Sequence, residues 1–335
     1  LLHGQRHAHR VGLPPLHARF DRLAVNDFLV ARGLGREWVP TRAPLIGVAT
    51  VGEEGIGDLR GVKHLFGDGG SCRDAAGFVS LDGAGLDRLV VQGLASRRFR
   101  VRASGPGGHS WVDFGAPNPI AAVSALAGRL AAVPLAADPK ATLTLARTGG
   151  GTSVNAIPQE AWLEIDTRCA DEGVLAELEA RLRAEVDRGR ADHPALTWTL
   201  ETRRDPPRAA TSPASAPVRP PPRPAHPPGP RRRLGLTWTL ETIGDRPGGS
   251  TDPDSALVRA AVRATHAVGR RPVLSLSSTD ANVPMKLGIP ALTMGCGGEA
   301  GLAHTTDEWY RNVRGPEGVV RALYTVLLAA GLAEA

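Results

Sequence analysis

The chain has 335 residues, of which 42% are hydrophobic and 22% charged, and it contains only three cysteines. This length exceeds what a single core comfortably covers, so we expect two domains. No apolar run approaches the ~20 residues of a membrane span. The cysteines are too few and too widely spaced for a disulfide framework or a Cys-x-x-Cys metal site, which predicts a globular cytoplasmic protein with reduced thiols. The sequence begins without Met or a signal peptide, and we interpret it as starting inside a longer parent.

The net charge of +6 comes from one segment. Residues 203–235 contain eight Arg and one Asp, a net charge of +7, which leaves −1 for the rest of the chain. The same segment holds 11 of the 28 Pro and almost no large apolar residues, so burial cannot offset the entropy of ordering it. We expect a disordered insertion. Because it has no aromatic side chain to stack on a base, we predict no nucleic-acid partner.

Short elements are predicted before residue 96. Apolar spacing favours a helix over 20–33, a buried strand over 44–51, a helix that begins near Asp58, and a strand over 77–83.

The next hundred residues have longer and more regular patterns. The predicted strands and helices follow the order β-α-β-β-α-β, at 97–105, 118–133, 141–150, 160–168, 171–189 and 196–202. This order is typical of a ferredoxin-like unit. The last stretch, LTWTLET, recurs at 236–242, which we interpret as a tandem duplication in which only one copy is needed as a strand.

The C-terminal part returns to α/β alternation. We predict a helix over 252–269 with an Asp cap, strands at 272–278 and 289–298, and a terminal helix from residue 316. The sequence therefore predicts an α/β domain split by an inserted α+β domain. The expected boundaries are 1–95 for the first half, 96–202 for the inserted domain, 203–235 for the disordered insertion, and 236–335 for the second half.

Two adjacent carboxylates end the apolar run GVATVGEEG. Glu53 and Glu54 would repel each other unless a positive group compensates them. Ligand sites of open α/β sheets lie at strand ends, where one carboxylate can bind a metal ion while the other takes a proton from water. The alternative is a solvated turn with two exposed acids.

Two further strand or loop ends carry metal-ligand side chains. Asp82 follows the strand of VSLDG, and His304 follows the loop GCGGEAG. Glu, Asp and His together favour a divalent cation, with Zn²⁺ the leading candidate.

Five motifs resemble the M20 metallopeptidase family in order and spacing: GVATVGEEGIGDLRGVKHLF, SGPGGHSW, GGGTSVNAIPQEAWLEIDTR, SSTDANVPMKLGIPALTMG and GLAHTTDEWY. The resemblance covers roughly residues 42–202 and 236–330. It implies a split zinc-exopeptidase-like catalytic domain with an inserted lid that forms a homodimer, and two zinc ions. The family's HxD motif and bridging Asp, which precede the Glu-Glu pair, are not found here.

The resemblance also implies roles for single residues. Glu53 matches the general base, and the metal ligands are matched by Glu54, Asp82 and His304. In the lid, His109 matches the residue that reaches the partner subunit's site and steadies the oxyanion, and Asn155 and Arg168 match residues that hold the substrate carboxylate. Structural alternatives exist for these three: a cap of the following helix for His109, a turn for Asn155, and an ion pair with Asp166 for Arg168.

Three functions follow from these residues. The first is zinc-dependent hydrolysis of short peptides with Glu53 as base. The second is hydrolysis of N-acyl amino acids by the same machinery. The third is a dimerising relative without activity, since the first metal ligands are missing. The feature that distinguishes it is whether a histidine or aspartate near the N-terminus comes within ~2–3 Å ligand reach of Glu54 and Asp82.

Overall fold

The computed structural model describes residues 41–192, 197–198 and 237–332. The helix predicted at 20–33 and the segment 203–235 lie outside these residues. In the part that is described, no helix is both long and apolar enough to cross a membrane.

The described elements are named here in chain order. The helices are α1 (Arg60–Phe66), α2 (Pro119–Ala131), α3 (Glu172–Ala191), α4 (Ala256–Ala267), α5 (Asn282–Lys286) and α6 (Gly315–Ala330). The strands are β1 (Phe78–Leu81), β2 (Arg88–Gly93), β3 (Ala95–Ser104), β4 (Gly108–His109), β5 (Ala141–Gly150), β6 (Ala156–Ile157), β7 (Glu160–Cys169), β8 (Thr197–Trp198), β9 (Thr237–Arg246), β10 (Gly249–Ser250), β11 (Val273–Ser277), β12 (Ala291–Met294), β13 (Glu299–Gly301) and β14 (Trp309–Arg311).

The first large sheet is mixed and carries helices on both faces. Its strand order is β1-β12-β2-β10, and β11 also pairs with β2. Successive side chains of a strand point to opposite faces. On β1, Val79 packs against the cluster that contains residues of α4 and α6, whereas Phe78 packs against the cluster of α1. The predicted α/β architecture is therefore confirmed for this part of the chain.

The second large sheet is the inserted lid. Its strands lie in the order β5-β7-β3-β9-β8, and α2 and α3 cover one face. Phe99 and Ile165 of the sheet are buried against Leu126 of α2 and Leu182 of α3. Along the chain the order is β3-α2-β5-β7-α3-β9, so the predicted ferredoxin-like unit is confirmed.

The closing strand of the lid comes from the second copy of the repeated heptapeptide. β9 pairs along its length with β3, and the described residues of the first copy, Thr197 and Trp198, form β8, parallel to β9 at the sheet edge. Residues 237–246 are hydrogen-bonded into the lid. The predicted second half from 236 thus begins with residues that pair with β3 of the lid.

Two local predictions are wrong. Residues 44–51 form no strand beyond a single bridge position at Ile46. Ile46 and Val51 are 50% and 63% exposed, so this run lacks the cover that a buried strand needs. Helix α4 is capped by Ser255, whose Oγ accepts from the Val258 N–H at 3.3 Å, and not by an aspartate.

Candidate active site

The Glu53-Glu54 pair lies in a tight loop before α1. Gly52 and Gly55 have φ of +71° and +53°, a conformation that glycine adopts without steric cost. Glu54 is exposed and precedes the short 3₁₀ helix Gly55–Gly57, whereas Glu53 is partly buried, with a side-chain exposure of 23%. The loop therefore turns the two carboxylates into different surroundings.

Glu53 is held by Arg246 at the end of β9. The Arg246 Nη1 atom lies 3.0 Å from Glu53 Oε1, and Nη2 donates to the Glu53 carbonyl oxygen. Burial raises the pKa of the Glu53 carboxyl above its usual value, Arg246 opposes the shift, and the charges of Glu54, Asp82 and Asp280 add to it. A carboxyl group with a raised pKa in a cluster of like charges is typical of a proton acceptor in an active site.

Asp82 follows β1 directly and lies near the same cluster. Its N–H donates to the Met294 carbonyl at 3.1 Å, which continues the β1–β12 ladder. Its carboxylate is exposed and raises the pKa values of Glu53 and Asp280. The structure therefore brings the predicted residues Glu53, Glu54 and Asp82 to one region.

Asp280 is a member of this cluster that the sequence analysis missed. It is 5% exposed, its Oδ2 accepts from Thr50 Oγ1 at 2.5 Å, and its Oδ1 is buried without a hydrogen-bond partner. Burial raises the pKa of its carboxyl, opposed by the Thr50 hydrogen bond. The SSTDANVP motif that contains Asp280 could have pointed to this residue. The pattern of that motif does not show that the Asp280 side chain is buried.

The three predicted metal ligands all lie on exposed segments. Glu54 and Asp82 are exposed, and the charges of both act on the Glu53 carboxyl. His304 lies on an exposed loop with φ +65°, and its N–H donates to Glu308 Oε2 at 3.1 Å. Within residues 41–192, 197–198 and 237–332, no three His, Cys, Asp or Glu side chains form a group that could hold a metal ion. The described residues thus do not complete the site for the predicted Zn²⁺ ions.

His109 and Asn155 are brought together in the lid. His109 pairs with Ala156 in the β4–β6 ladder, and the Ser110 N–H donates to the Asn155 carbonyl at 3.0 Å. Their chain neighbours Gly108 and Ala156 line a cavity of about 400 Å³, together with Gly151 and Thr152. Helix α2, which follows His109, is capped by the Asn118 side chain. His109 therefore does not cap this helix.

The His109 ring is oriented by its own turn. Its Nδ1 atom accepts from the backbone N–H groups of Trp111 and Val112 at 3.2 and 3.4 Å. Asp113 closes the turn, with its Oδ2 accepting from the His109 N–H at 2.8 Å. Because Nδ1 is an acceptor, the neutral ring carries its proton on Nε2, which is free to donate to a ligand.

Arg168 lies at the other end of the lid from His109. Its Nε atom lies 2.6 Å from Asp166 Oδ2, the ion pair that was its structural alternative. Ser96 of β3 lies between Arg168 of β7 and Arg246 of β9, since it pairs with both in the strand register. Arg168 therefore lies two strand spacings, roughly 10 Å, from Arg246. Arg168 is thus on the Glu53 side of the lid.

The far end of the same strands carries His109 and Asn155. Ser104 pairs with Glu160, eight residues along β7 from Arg168, which corresponds to roughly 26 Å at ~3.3 Å per residue. His109 follows Ser104 and Asn155 precedes Glu160, so both lie beyond that end. Within one chain, the structure therefore separates His109 and Asn155 from Glu53.

Comparison with known proteins identifies a family. The model of peptidase family M20/M25/M40 matches residues 28–329. No curated protein matches the sequence.

Solved structures show a similar fold. The aminopeptidase PepT from Bacillus cereus aligns at TM-score 0.57 and 19% identity, over 90% of this chain and 67% of that chain. A tripeptidase from Staphylococcus aureus aligns at 0.56 and 18%, over 84% and 63%. A hydantoinase/carbamoylase family amidase from Burkholderia vietnamiensis aligns at 0.50 and 19%, over 75% and 53%. The chain thus spans about two thirds of the two peptidases.

Proposed function

The chain belongs to peptidase family M20/M25/M40, and from this premise we propose that it hydrolyses the amide bonds of short peptides with Glu53 as the general base. The observation that carries the proposal is the cluster of Glu53, Glu54, Asp82 and Asp280, in which Glu53 is partly buried and oriented by Arg246. The structures of an aminopeptidase and a tripeptidase with the same fold agree with a peptide substrate.

Glu53 supplies the proton transfer. Its carboxylate accepts a proton from the attacking water as the scissile carbonyl becomes tetrahedral, and it then returns this proton to the leaving amine. Partial burial and the surrounding carboxylates raise the pKa of Glu53. A raised pKa suits a group that first accepts a proton from water and then donates it to the amine.

His109 stabilises the negative charge on the tetrahedral oxygen. The turn described above leaves the Nε2–H group as a hydrogen-bond donor in a fixed orientation. A donor that is oriented before the reaction pays no reorganisation cost when the oxyanion forms.

The active unit is a homodimer in this proposal. Glu53 contacts Arg246 at one end of the lid strands, and His109 follows the other end, with roughly 26 Å of β7 between Arg168 and Glu160. In this proposal His109 therefore serves the Glu53 of a second copy. The loop around His109 supports this, because Trp111 and Phe114 are 85% and 90% exposed. Exposed aromatic side chains are typical of interface cores.

We propose that Asn155 and Arg168 bind the substrate carboxylate. The Asn155 carbonyl accepts from the Ser110 N–H next to His109, and Arg168 lies on the Glu53 side of the lid, where its planar guanidinium can bind a carboxylate through two donors. We propose Zn²⁺ as the cofactor, with Glu54 and His304 as ligands of one ion and Asp82 as a ligand of the other. The described residues do not complete either site.

Mixing two inactive variants tests both the base and the dimer. Glu53→Gln lacks the base, and His109→Ala lacks the oxyanion donor. If each site combines Glu53 of one protomer with His109 of the other, hybrid dimers contain one intact site. After random exchange, activity should return to about a quarter of the wild-type value.

The matched control is the double variant Glu53→Gln, His109→Ala mixed with wild type under the same conditions. No recovery in the mixture of single variants, with subunit exchange shown by mass spectrometry, would contradict a shared site. A wild-type chain that cleaves neither peptides nor N-acyl amino acids with Zn²⁺ supplied would contradict the proposed activity itself.

A further inference from the structure

The base of the lid contacts the loop that carries Glu53. Arg246 is the last residue of β9, and its side chain is 5% exposed. Its Nη1 atom lies 3.0 Å from Glu53 Oε1 and 3.4 Å from Ser278 Oγ, and its Nη2 atom donates to the Glu53 carbonyl oxygen. One guanidinium therefore fixes both the side chain and the backbone of residue 53.

Neighbouring lid residues hold the rest of this loop. The Asp245 N–H donates to Asp58 Oδ1 at 3.0 Å, and the Asp245 carbonyl accepts from Lys63 Nζ at 2.8 Å. Lys63 also lies 2.6 Å from Asp58 Oδ2. On β3, Arg98 donates to the Gly55 carbonyl oxygen. The ends of two lid strands thus contact loop 53–58 at both its start and its end.

Because Arg246 is buried, loss of its ion pair with Glu53 would be energetically costly. A buried guanidinium is stable only where its charge is paired and its N–H groups are used. Glu53 is the carboxylate that lies against Arg246, and the Arg246 Nε atom is buried without a partner. A movement of β9 relative to the loop would therefore leave a buried guanidinium and a partly buried carboxylate unpaired, which opposes independent motion of the two segments.

We infer that Arg246 is a positioning residue, which holds the Glu53 carboxylate in place and couples its orientation to the position of the lid. Its effect on turnover rests on the proposed function, whereas the coupling between the lid and loop 53–58 does not. Arg246 fixes Glu53 rather than the substrate, so its loss should lower kcat and leave KM nearly unchanged. A displacement of about 1 Å at a catalytic group costs roughly 10²-fold in rate.

The chain offers a matched control. Lys286 of α5 also ties the catalytic part to the lid, with its Nζ atom 2.5 Å from Glu172 Oε2. This ion pair connects the same two parts without touching loop 53–58. Lys286→Met therefore removes an interdomain ion pair but leaves Glu53 and its arginine in place.

The test compares Arg246→Gln, Arg246→Lys and Lys286→Met by steady-state kinetics and by hydrogen exchange of residues 51–58. We expect Arg246→Gln to lose about 10²-fold in kcat and to exchange faster in 51–58. Arg246→Lys should partly restore kcat and the slow exchange of 51–58. Lys286→Met should have the wild-type kcat and the wild-type exchange rate of 51–58. Wild-type kcat in folded Arg246→Gln, or equal exchange of 51–58 in Arg246→Gln and Lys286→Met, would overturn the inference.

If Arg246→Gln does not fold, Arg246→Lys decides alone: a lower kcat with unchanged KM and faster exchange confined to 51–58 supports the inference, and wild-type values of both overturn it. If the wild type hydrolyses no amide substrate, the proposed function fails, and the exchange data alone still decide whether Arg246 couples the lid to the loop.

Discussion

Replacing Asp113 by Ala should release the turn that orients His109. The Asp113 carboxylate accepts from the His109 N–H at 2.8 Å, and the turn also contains the Asp113 N–H bond to the His109 carbonyl at 2.9 Å. The variant removes the first bond and keeps the second. A hydrogen bond of this kind contributes about 1 kcal/mol net, so the ratio of closed to open turn should fall about fivefold.

Opening of the turn withdraws the two backbone donors from His109 Nδ1. The proton of the neutral ring is then no longer confined to Nε2, and the Nδ1–H tautomer should become populated. The measurement is a long-range ¹H–¹⁵N correlation spectrum of the histidine rings, recorded at a pH where His109 is neutral. The His109 signals should shift toward those of the Nδ1–H tautomer, and kcat should fall with little change in thermal stability, since the turn is exposed.

The control is Asp113→Asn, which keeps an oxygen acceptor at the same place. It should retain the wild-type tautomer and most of the activity. The same His109 signals in Asp113→Ala and in the wild type would refute the reasoning that this turn determines the ring proton.

Two further predictions concern stability. Asn118→Ala removes the acceptor of the Ile120 and Ala121 N–H groups at the start of α2 and should cost about 1 kcal/mol in urea unfolding, whereas Asn118→Asp should not. Burial raises the pKa of Glu172, but hydrogen bonds from Lys286 and from the Gly248 N–H outweigh it, so the folded-state pKa lies below the ordinary 4.5. The resulting stabilisation is present above pH 4.5 and is lost as the pH falls through the folded-state pKa. Urea unfolding at several pH values should therefore show that acidification lowers the free energy of unfolding less in Glu172→Gln than in the wild type. Equal decreases in the two proteins would contradict this prediction.

The lid could be predicted from the sequence because its elements are long and their periodicity is clear. β7 alternates buried and less buried positions over most of its length. Asp171 precedes α3, and its Oδ1 accepts from the Val174 N–H at 2.9 Å. Local pattern and tertiary structure agree in such elements, so the pattern alone is informative.

The catalytic sheet was harder to predict because its strands are short. β2 (Arg88–Gly93) lies at the centre of that sheet, yet no strand was predicted there. The opposite error occurred at 44–51, where an apolar run predicted a buried strand and the structure leaves Ile46 and Val51 largely exposed. Short apolar runs do not reveal which of them find partners on both sides.

The candidate site was predicted as residue types rather than as a constellation. Glu53, Glu54 and Asp82 were found from their positions after apolar runs, and they do lie near one another. Arg246 and Asp280 were missed because their roles depend on burial and on contacts 193 and 230 residues away in sequence. The separation of His109 from Glu53 likewise follows from strand register, which the sequence pattern does not contain.

The measurement that tests the central claim most directly is amino acid release from a panel of di- and tripeptides by the full chain with Zn²⁺ supplied. The wild type is compared with Glu53→Gln and with Glu177→Gln, a control at an exposed position of α3. We predict hydrolysis by the wild type and the control, and a kcat at least about 10²-fold lower in Glu53→Gln. Equal rates for all three chains, or no hydrolysis by any of them, would contradict the account.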